Sequence, residues 1–194
     1  KTMGSNVFAY STALKEIEFG SAIVGEYCFI GCTGLENVVI PNSVTYIGTG
    51  AFYSCSGLKD ITLPIEQSGF NIFSCTNVET ITYTAQDSGV MPARASHPGD
   101  AKYYGKTLEY SCRNSVKKIV YSEGVTEIAN YANYHDELGS QLKEIVIPST
   151  VKKIGSHAFY KTALPSPMLV EGVEEIGDYA FSTSPAMTQA RIPA

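Results

Sequence analysis

The sequence is poor in the residues that usually announce chemistry. It has three histidines, His97, His135 and His157, and none lies in a His-Glu-x-x-His pair that would hold zinc. Gly-x-Ser-x-Gly, a phosphate-binding Gly-Lys-Ser/Thr loop and an Asp-rich calcium loop are missing as well. Those absences leave no metal, cofactor or catalytic group to assign, and no enzyme is expected. Positive charge is also scarce: 14 Lys and Arg stand against 19 Asp and Glu, for a net charge of −5. Nucleic-acid binding depends on clustered cations, so it is not expected here. No apolar run approaches the ~20 residues a membrane-spanning helix needs. There is no secretory leader either, but the chain opens at Lys1 rather than Met, which reads as a processed or trimmed product and leaves the compartment open.

What is present is repetition. At 194 residues and 44% apolar, the chain can bury a substantial core, and it does so with one sentence written many times. The stretch LENVVIPNSVTYIGTGAFYSCSG, residues 35–57, is followed at Leu58 by LKDITLP. The leucine position recurs at Leu14, Leu35, Leu58, Val78, Val116, Leu142, Leu164 and Met187, at intervals of 21, 23, 20, 38, 26, 22 and 23. A short fixed period marks a solenoid, in which no unit covers its own apolar face and stacking makes the core continuous. One domain of about eight coils over residues 1–194 is expected, with insertions within 84–112 and 129–141.

Within each coil the residues three and five after the leucine share one side of a strand, because side chains alternate with period two. The inward pairs are then Ile17 and Phe19, Val38 and Ile40, Ile61 and Leu63, Ile81 and Tyr83, Ile119 and Tyr121, and Ile145 and Ile147. Proline, which has no donor for the ladder, ends the strand at Pro41, Pro64, Pro148 and Pro193. A second apolar pair follows: Val44 and Ile47, Val125 and Ile128, Val151 and Ile154, Val173 and Ile176. Gly48, Gly155 and Gly177 come next, where a turn with positive φ is expected. Ala51-Phe52, Ala158-Phe159 and Ala180-Phe181 then open an apolar back side spaced in threes, which predicts a short helical or 3₁₀ turn.

Charge offers a check on register. The residue after the leucine reads Lys15, Glu36, Lys59, Glu79, and alternating sign favours parallel stacking, whereas Lys117 and Lys143 would meet as like charges. The insertions, rich in Gly, Pro, Ala and Ser or in Tyr, read as excursions from the back of the coil. The chain stops after a strand ending at Ile192, with no polar capping repeat at either end. A piece of a longer protein is expected, or ends that a partner covers, including end-to-end self-association.

Candidate groups separate into three. Cys32, Cys55, Cys75 and Cys112 fall at or within one residue of the same template position, and Cys28 replaces the alanine of Ala-Phe. They read as buried free thiols, since parallel Cβ vectors strain a bridge between coils and no second ligand pair supports zinc. His157, just before Ala158-Phe159, is expected on the surface. Tyrosine gathers in and beside the insertions, where Tyr103, Tyr104, Tyr110, Tyr131 and Tyr134, with His135, would form a contacting patch. The outward sheet face, four residues after each leucine, reads Glu18, Val39, Thr62, Thr82, Val120, Val146, Met168 and Arg191, and the six from Val39 to Met168 are the candidate contact residues. Apolar side chains there mark a second contact strip.

The segments IPNSVTYIGTGAFYSCSGLKDITLP and IPSTVKKIGSHAFYKTAL closely resemble the BspA-like leucine-rich repeat family, and the resemblance covers nearly the whole chain outside the insertions. It implies a right-handed leucine-rich solenoid with a parallel β-sheet on one face and short strands, turns and 3₁₀ or helical segments on the other. It further implies a bacterial cell-surface or secreted protein that adheres to host matrix proteins or to other cells, with no catalytic residues to carry over. The reading that follows is a non-enzymatic module binding protein or glycan. An accessory repeat domain of a larger enzyme or nutrient-capture system, or an intracellular interaction scaffold, would use the same fold.

Overall fold

The computed structural model describes residues 1–20, 22–65, 77–85, 89–90, 115–134, 141–166 and 171–191, and the backbone of 73–74. Among them, twelve short strands are all paired in parallel. They are β1 (Ile23–Val24), β2 (Asn37–Val39), β3 (Tyr46–Ile47), β4 (Phe52–Tyr53), β5 (Asp60–Pro64), β6 (Phe73–Ser74), β7 (Thr80–Thr84), β8 (Lys118–Tyr121), β9 (Glu127–Ile128), β10 (Glu144–Val146), β11 (Lys153–Ile154) and β12 (Glu175–Ile176). The main sheet runs β2-β5-β7-β8-β10, and the second apolar pair of each coil builds two smaller sheets, β1-β3 and β9-β11-β12.

The register confirms the repeat residue by residue. Val38, Ile61, Ile81, Ile119 and Ile145 lie side by side across the five strands. The aligned leucine positions Leu35, Leu58, Val78, Val116, Leu142 and Leu164 are all buried in one continuous core, with Leu14 partly buried at its edge. Phenylalanine forms a stack through that core, with Phe8, Phe29 and Phe52 at ring separations of 5.4 and 5.1 Å and Phe159 on Phe181 at 5.2 Å. The main sheet passes from β7 to β8 without a gap, although the first insertion separates them in sequence. Gly89 and Val90, inside that insertion, take the second-sheet position: Thr126 N donates to Gly89 O at 2.7 Å, as Thr45 N donates to Ala22 O.

Two local expectations differ from the structure. Gly48, Gly155 and Gly177 do not have positive φ. Their role is close approach: a Cβ at Gly48, Gly155 or Gly177 would lie 2.5, 2.4 or 2.4 Å from a backbone nitrogen of the neighbouring coil. The second difference is at Ala-Phe, where the described residues form successive turns, or at Phe52–Tyr53 the short strand β4, and no helix. Left-handed residues interrupt the run twice per coil, once before Ala-Phe (Asn6, Tyr27, Gly50, Tyr131, His157, Tyr179) and again four residues later (Tyr10, Gly31, Ser54, Lys161, Thr183). A residue with φ near +57° cannot continue a right-handed helix. Alternate amides are instead turned toward the next coil, as when Tyr27, Phe29 and Gly31 donate to Thr49, Ala51 and Tyr53 at 2.8–3.0 Å. The spacing in threes survives as turn hydrogen bonds, for example Tyr53 N to Gly50 O at 2.9 Å.

Candidate binding surfaces

A parallel strand exposes every second side chain, so one outward residue per coil becomes a row across the sheet. Val39, Thr62, Thr82, Val120 and Val146 are direct register partners in that order, spanning all five strands. Val39 and Val146, at the two edges, are 61% and 40% exposed. The three between them are half-buried by their neighbours. Met168, the sixth member expected, lies outside the described residues.

Charged residues border this row. Lys118, two residues before Val120, pairs with Glu144 at 2.7 Å, and Lys117 pairs with Glu79 at 3.0 Å. The alternation of sign therefore continues across the first insertion. Lys117 and Lys143 are neighbours, since Lys143 N donates to Lys117 O at 2.9 Å. Lys152–Glu174 and Lys153–Glu175 repeat the arrangement later, each at 3.3 Å. All these groups are well exposed, and such pairs stabilise by roughly 0.2–1 kcal/mol each.

The turn side carries the aromatic residues. Of the loop patch, Tyr131 and Tyr134 are described, whereas Tyr103, Tyr104, Tyr110 and His135 lie outside the described residues. Tyr131 and Tyr134 join a larger cluster through the repeat. Tyr131 stacks on His157 and His157 on Tyr179, each at 4.9 Å between centroids, while Tyr134 stacks on Tyr160 at 5.2 Å. Tyr131 meets Tyr134 edge-on at 5.6 Å and His157 meets Tyr160 at 5.4 Å, so the two columns make one plate. Lys161 Nζ sits over the Tyr160 ring, 5.3 Å from its centroid.

His157 lies in this surface cluster, but held between rings. It is half-buried, with tyrosine on both ring faces and with an Nδ1 that is buried and has no hydrogen-bond partner. Tyr160 and Tyr179 were not anticipated at all. The signal was available in the position before Ala-Phe, which reads Tyr131, His157 and Tyr179 in successive coils, and in Tyr134 and Tyr160 three residues later.

Conformation makes the plate notable. Tyr131, His157 and Tyr179 have φ of 58°, 57° and 57°. A side chain there costs about 1–2 kcal/mol relative to glycine, and each ring contact returns about 0.5–1.5 kcal/mol. Gly50 holds the same position at φ 65°, with the Tyr27 ring lying over it. The turn itself therefore has no need of an aromatic side chain.

Cys32 and Cys55 lie in one column of the repeat, with Cys28 beside it at the alanine position. Cys28, Cys32 and Cys55 are buried and free, and Cys75 and Cys112 lie outside the described residues. Cys32 donates to Phe8 O at 3.1 Å and Cys55 to Phe29 O at 3.2 Å, each one coil back. Thr162 and Ser184 occupy the same column and meet at 3.3 Å. The position thus selects a small hydrogen-bond donor as well as a small apolar volume. Burial raises all three thiols above their ordinary range, and Cys55 is pushed up to about 12, chiefly by desolvation with Cys32 adding to it. Among the described residues no three His, Cys, Asp or Glu side chains gather where a metal could bind, and no helix is long and apolar enough to cross a membrane.

The repeat that builds these surfaces has a recognised counterpart. Six copies of the BspA-type leucine-rich repeat match residues 1–90 and 105–194. The chain belongs to that family. Solved structures similar to this BspA-type chain include a leucine-rich cell surface protein from Faecalibacterium prausnitzii, at 21% identity and a TM-score of 0.43 over 97% of this chain and 42% of that one. A leucine-rich repeat protein from Bacteroides ovatus matches at 22% and 0.40, over 100% of this chain and 64% of its own. The pneumococcal vaccine antigen PcpA matches at 21% and 0.41, over 100% and 60%. The chain therefore spans about half the length of these structures. Comparison with curated proteins returns no match.

Proposed function

We propose that this chain is a non-enzymatic binding module of a cell-surface or secreted protein, engaging a protein or glycan through the outer faces of its solenoid. The observation that carries the reading is the row Val39, Thr62, Thr82, Val120 and Val146, in register across five strands and bordered by paired charges. The strands position it rigidly, so little ordering opposes binding. Membership of the BspA-type family supports an adhesive role at a surface, and the tyrosine plate supplies a second contact area. Specificity in such a module rests on shape and many modest contacts, with no covalent step. The test is binding to arrayed host-matrix proteins and glycans, comparing the intact chain with Val39→Asp/Val146→Asp, whose side chains lie outside the core. The paired substitution is expected to lower protein binding at least tenfold while leaving the unfolding midpoint nearly unchanged. Failure of the intact chain to bind anything on either array would overturn the proposal.

A further inference from the structure

We infer that the solenoid has a built-in opening point, at the joint between the coil of residues 116–134 and the coil of residues 142–164. Two columns that bind the other coils together fail there. In the first, Phe29 N donates to Ala51 O, Phe159 N to Ala180 O and Asn133 N to Ala158 O, so Asn133 holds the place that phenylalanine holds elsewhere. Phe29 stacks between Phe8 and Phe52, and Phe159 stacks on Phe181. On the side of residues 116–134 the column offers Phe159 an amide in place of a ring. Asn133 is 3% exposed, and while its Nδ2 donates to the Tyr121 hydroxyl, its Oδ1 is buried with no hydrogen-bond partner. An unpaired polar atom carries its desolvation cost for as long as the coils stay together. Parting them gives Oδ1 water, just as Phe8, at the end of the same column, is 40% exposed.

The second column is one of charge. Glu36, Lys59, Glu79, Lys117 and Lys143 follow one another across the main sheet, each amide after the first donating to the carbonyl before it at 2.7–2.9 Å. The sign alternates at every step until the last, where lysine follows lysine, and like charges on adjacent strands repel. Lys118 and Glu144 cross the same joint at 2.7 Å, but both are exposed and such a pair offsets little. Among the described residues neither defect occurs at another joint. Each coil of a solenoid touches only its neighbours, so stability is a sum over joints and the weakest interior joint opens first. The outward row crosses this joint between the register partners Val120 and Val146. Opening breaks the row, and a ligand spanning it favours the closed stack; that consequence rests on the binding-module reading above, whereas the joint itself does not.

The experiment is native-state hydrogen exchange of the intact chain, followed amide by amide by NMR in urea below the unfolding midpoint. The amides of Asn133, Lys143, Glu144, Lys152 and Gly155 donate across the joint, and those of Lys117, Lys118 and Ser122 across the preceding one. The first group should exchange together and about tenfold faster than the second, giving a step in protection. Tyr121→Phe keeps the ring and leaves both ends of the Asn133 amide unpaired, so it should speed the first group about fivefold further. Lys59 and Asp60, which donate across the β2–β5 joint, should be unaffected. Lys143→Glu, a surface change that restores the alternation, should slow the first group about twofold. Equal protection of the two groups, a smooth decline toward Arg191 as in fraying from an end, or no change of the first group in either variant would each overturn the inference. Matrix-protein binding that persists in those cases leaves the binding module standing without the joint, and a step in protection in a chain that binds nothing leaves the joint without the module.

Discussion

Replacing Gly155 by alanine should separate two coils that its missing side chain lets touch. A Cβ there would stand 2.4 Å from Asn130 N, 2.6 Å from the Ala129 carbonyl carbon and 2.6 Å from Asn130 Oδ1. Two of those atoms are backbone, so the contact cannot be relieved by a rotamer change. Restoring ordinary van der Waals distance moves the coils apart by about 1 Å, which overpacking series put at roughly 1–3 kcal/mol. The same displacement stretches Gly155 N to Ile128 O, Tyr131 N to Ser156 O and Ser156 N to Asn130 Oδ1, now 2.8, 2.9 and 2.8 Å. Each is worth about 0.5–1.5 kcal/mol. Against this, alanine restricts the unfolded chain and returns about 0.4–1 kcal/mol. The net expectation is a loss of about 2–3 kcal/mol in urea unfolding, with hydrogen exchange faster at Tyr131 and Gly155. Gly20→Ala is the control, since nothing lies within 4 Å of a Cβ at Gly20. A loss at Gly155 below about 1 kcal/mol, or equal losses at the two sites, would refute the close-approach argument.

Two further outcomes follow from the buried columns. Because Cys55 is pushed up to about 12 in the folded chain from an ordinary value of 9.0, its stabilising protonation is fully present below pH 9 and is lost as pH rises from 9 toward 12; by pH 10 the loss is about 1.4 kcal/mol. Urea unfolding of the parent and Cys55→Ser under reducing conditions should therefore show the parent's advantage shrinking by that amount between pH 7 and pH 10, and a constant difference would reject the linkage. In the phenylalanine stack, Phe52 is fully buried and Phe8 is 40% exposed, so Phe52→Ala should cost about 3–5 kcal/mol and Phe8→Ala clearly less; equal costs by denaturant titration would mean that the stack does not bear the load assigned to it.

The parts of this molecule that were legible in the sequence are those set by apolar periodicity. Leucine spacing gave the coil, and alternation gave the inward pairs, because a one-residue slip would expose every one of them. The glycines show where that logic ends. Gly48, Gly155 and Gly177 were read as φ-permissive, and their actual role is to leave room for the neighbouring backbone. Sequence alone does not separate those two reasons for glycine, since both require only that Cβ be absent. The left-handed turns were hidden for the converse reason: Tyr27, Tyr131 and Tyr179 are residues that rarely accept positive φ, and they adopt it because the neighbouring coils fix the turn. Asn133 is a similar exception. It stands where Phe29, Phe52 and Phe159 stand in other coils, buried with Nδ2 donating to the Tyr121 hydroxyl at 3.0 Å. Asn133 departs from phenylalanine in a coil whose inward tyrosine, Tyr121, supplies the hydroxyl that a buried amide needs. The aromatic plate is the last case. Tyr131 and Tyr134 were assigned by their nearness to an insertion, a one-dimensional criterion, whereas His157, Tyr160 and Tyr179 join them because equivalent positions stack at 4.9–5.2 Å. In a solenoid a surface is composed down the columns of the repeat, so aligning the chain to itself reveals a patch that scanning along it breaks into separate residues.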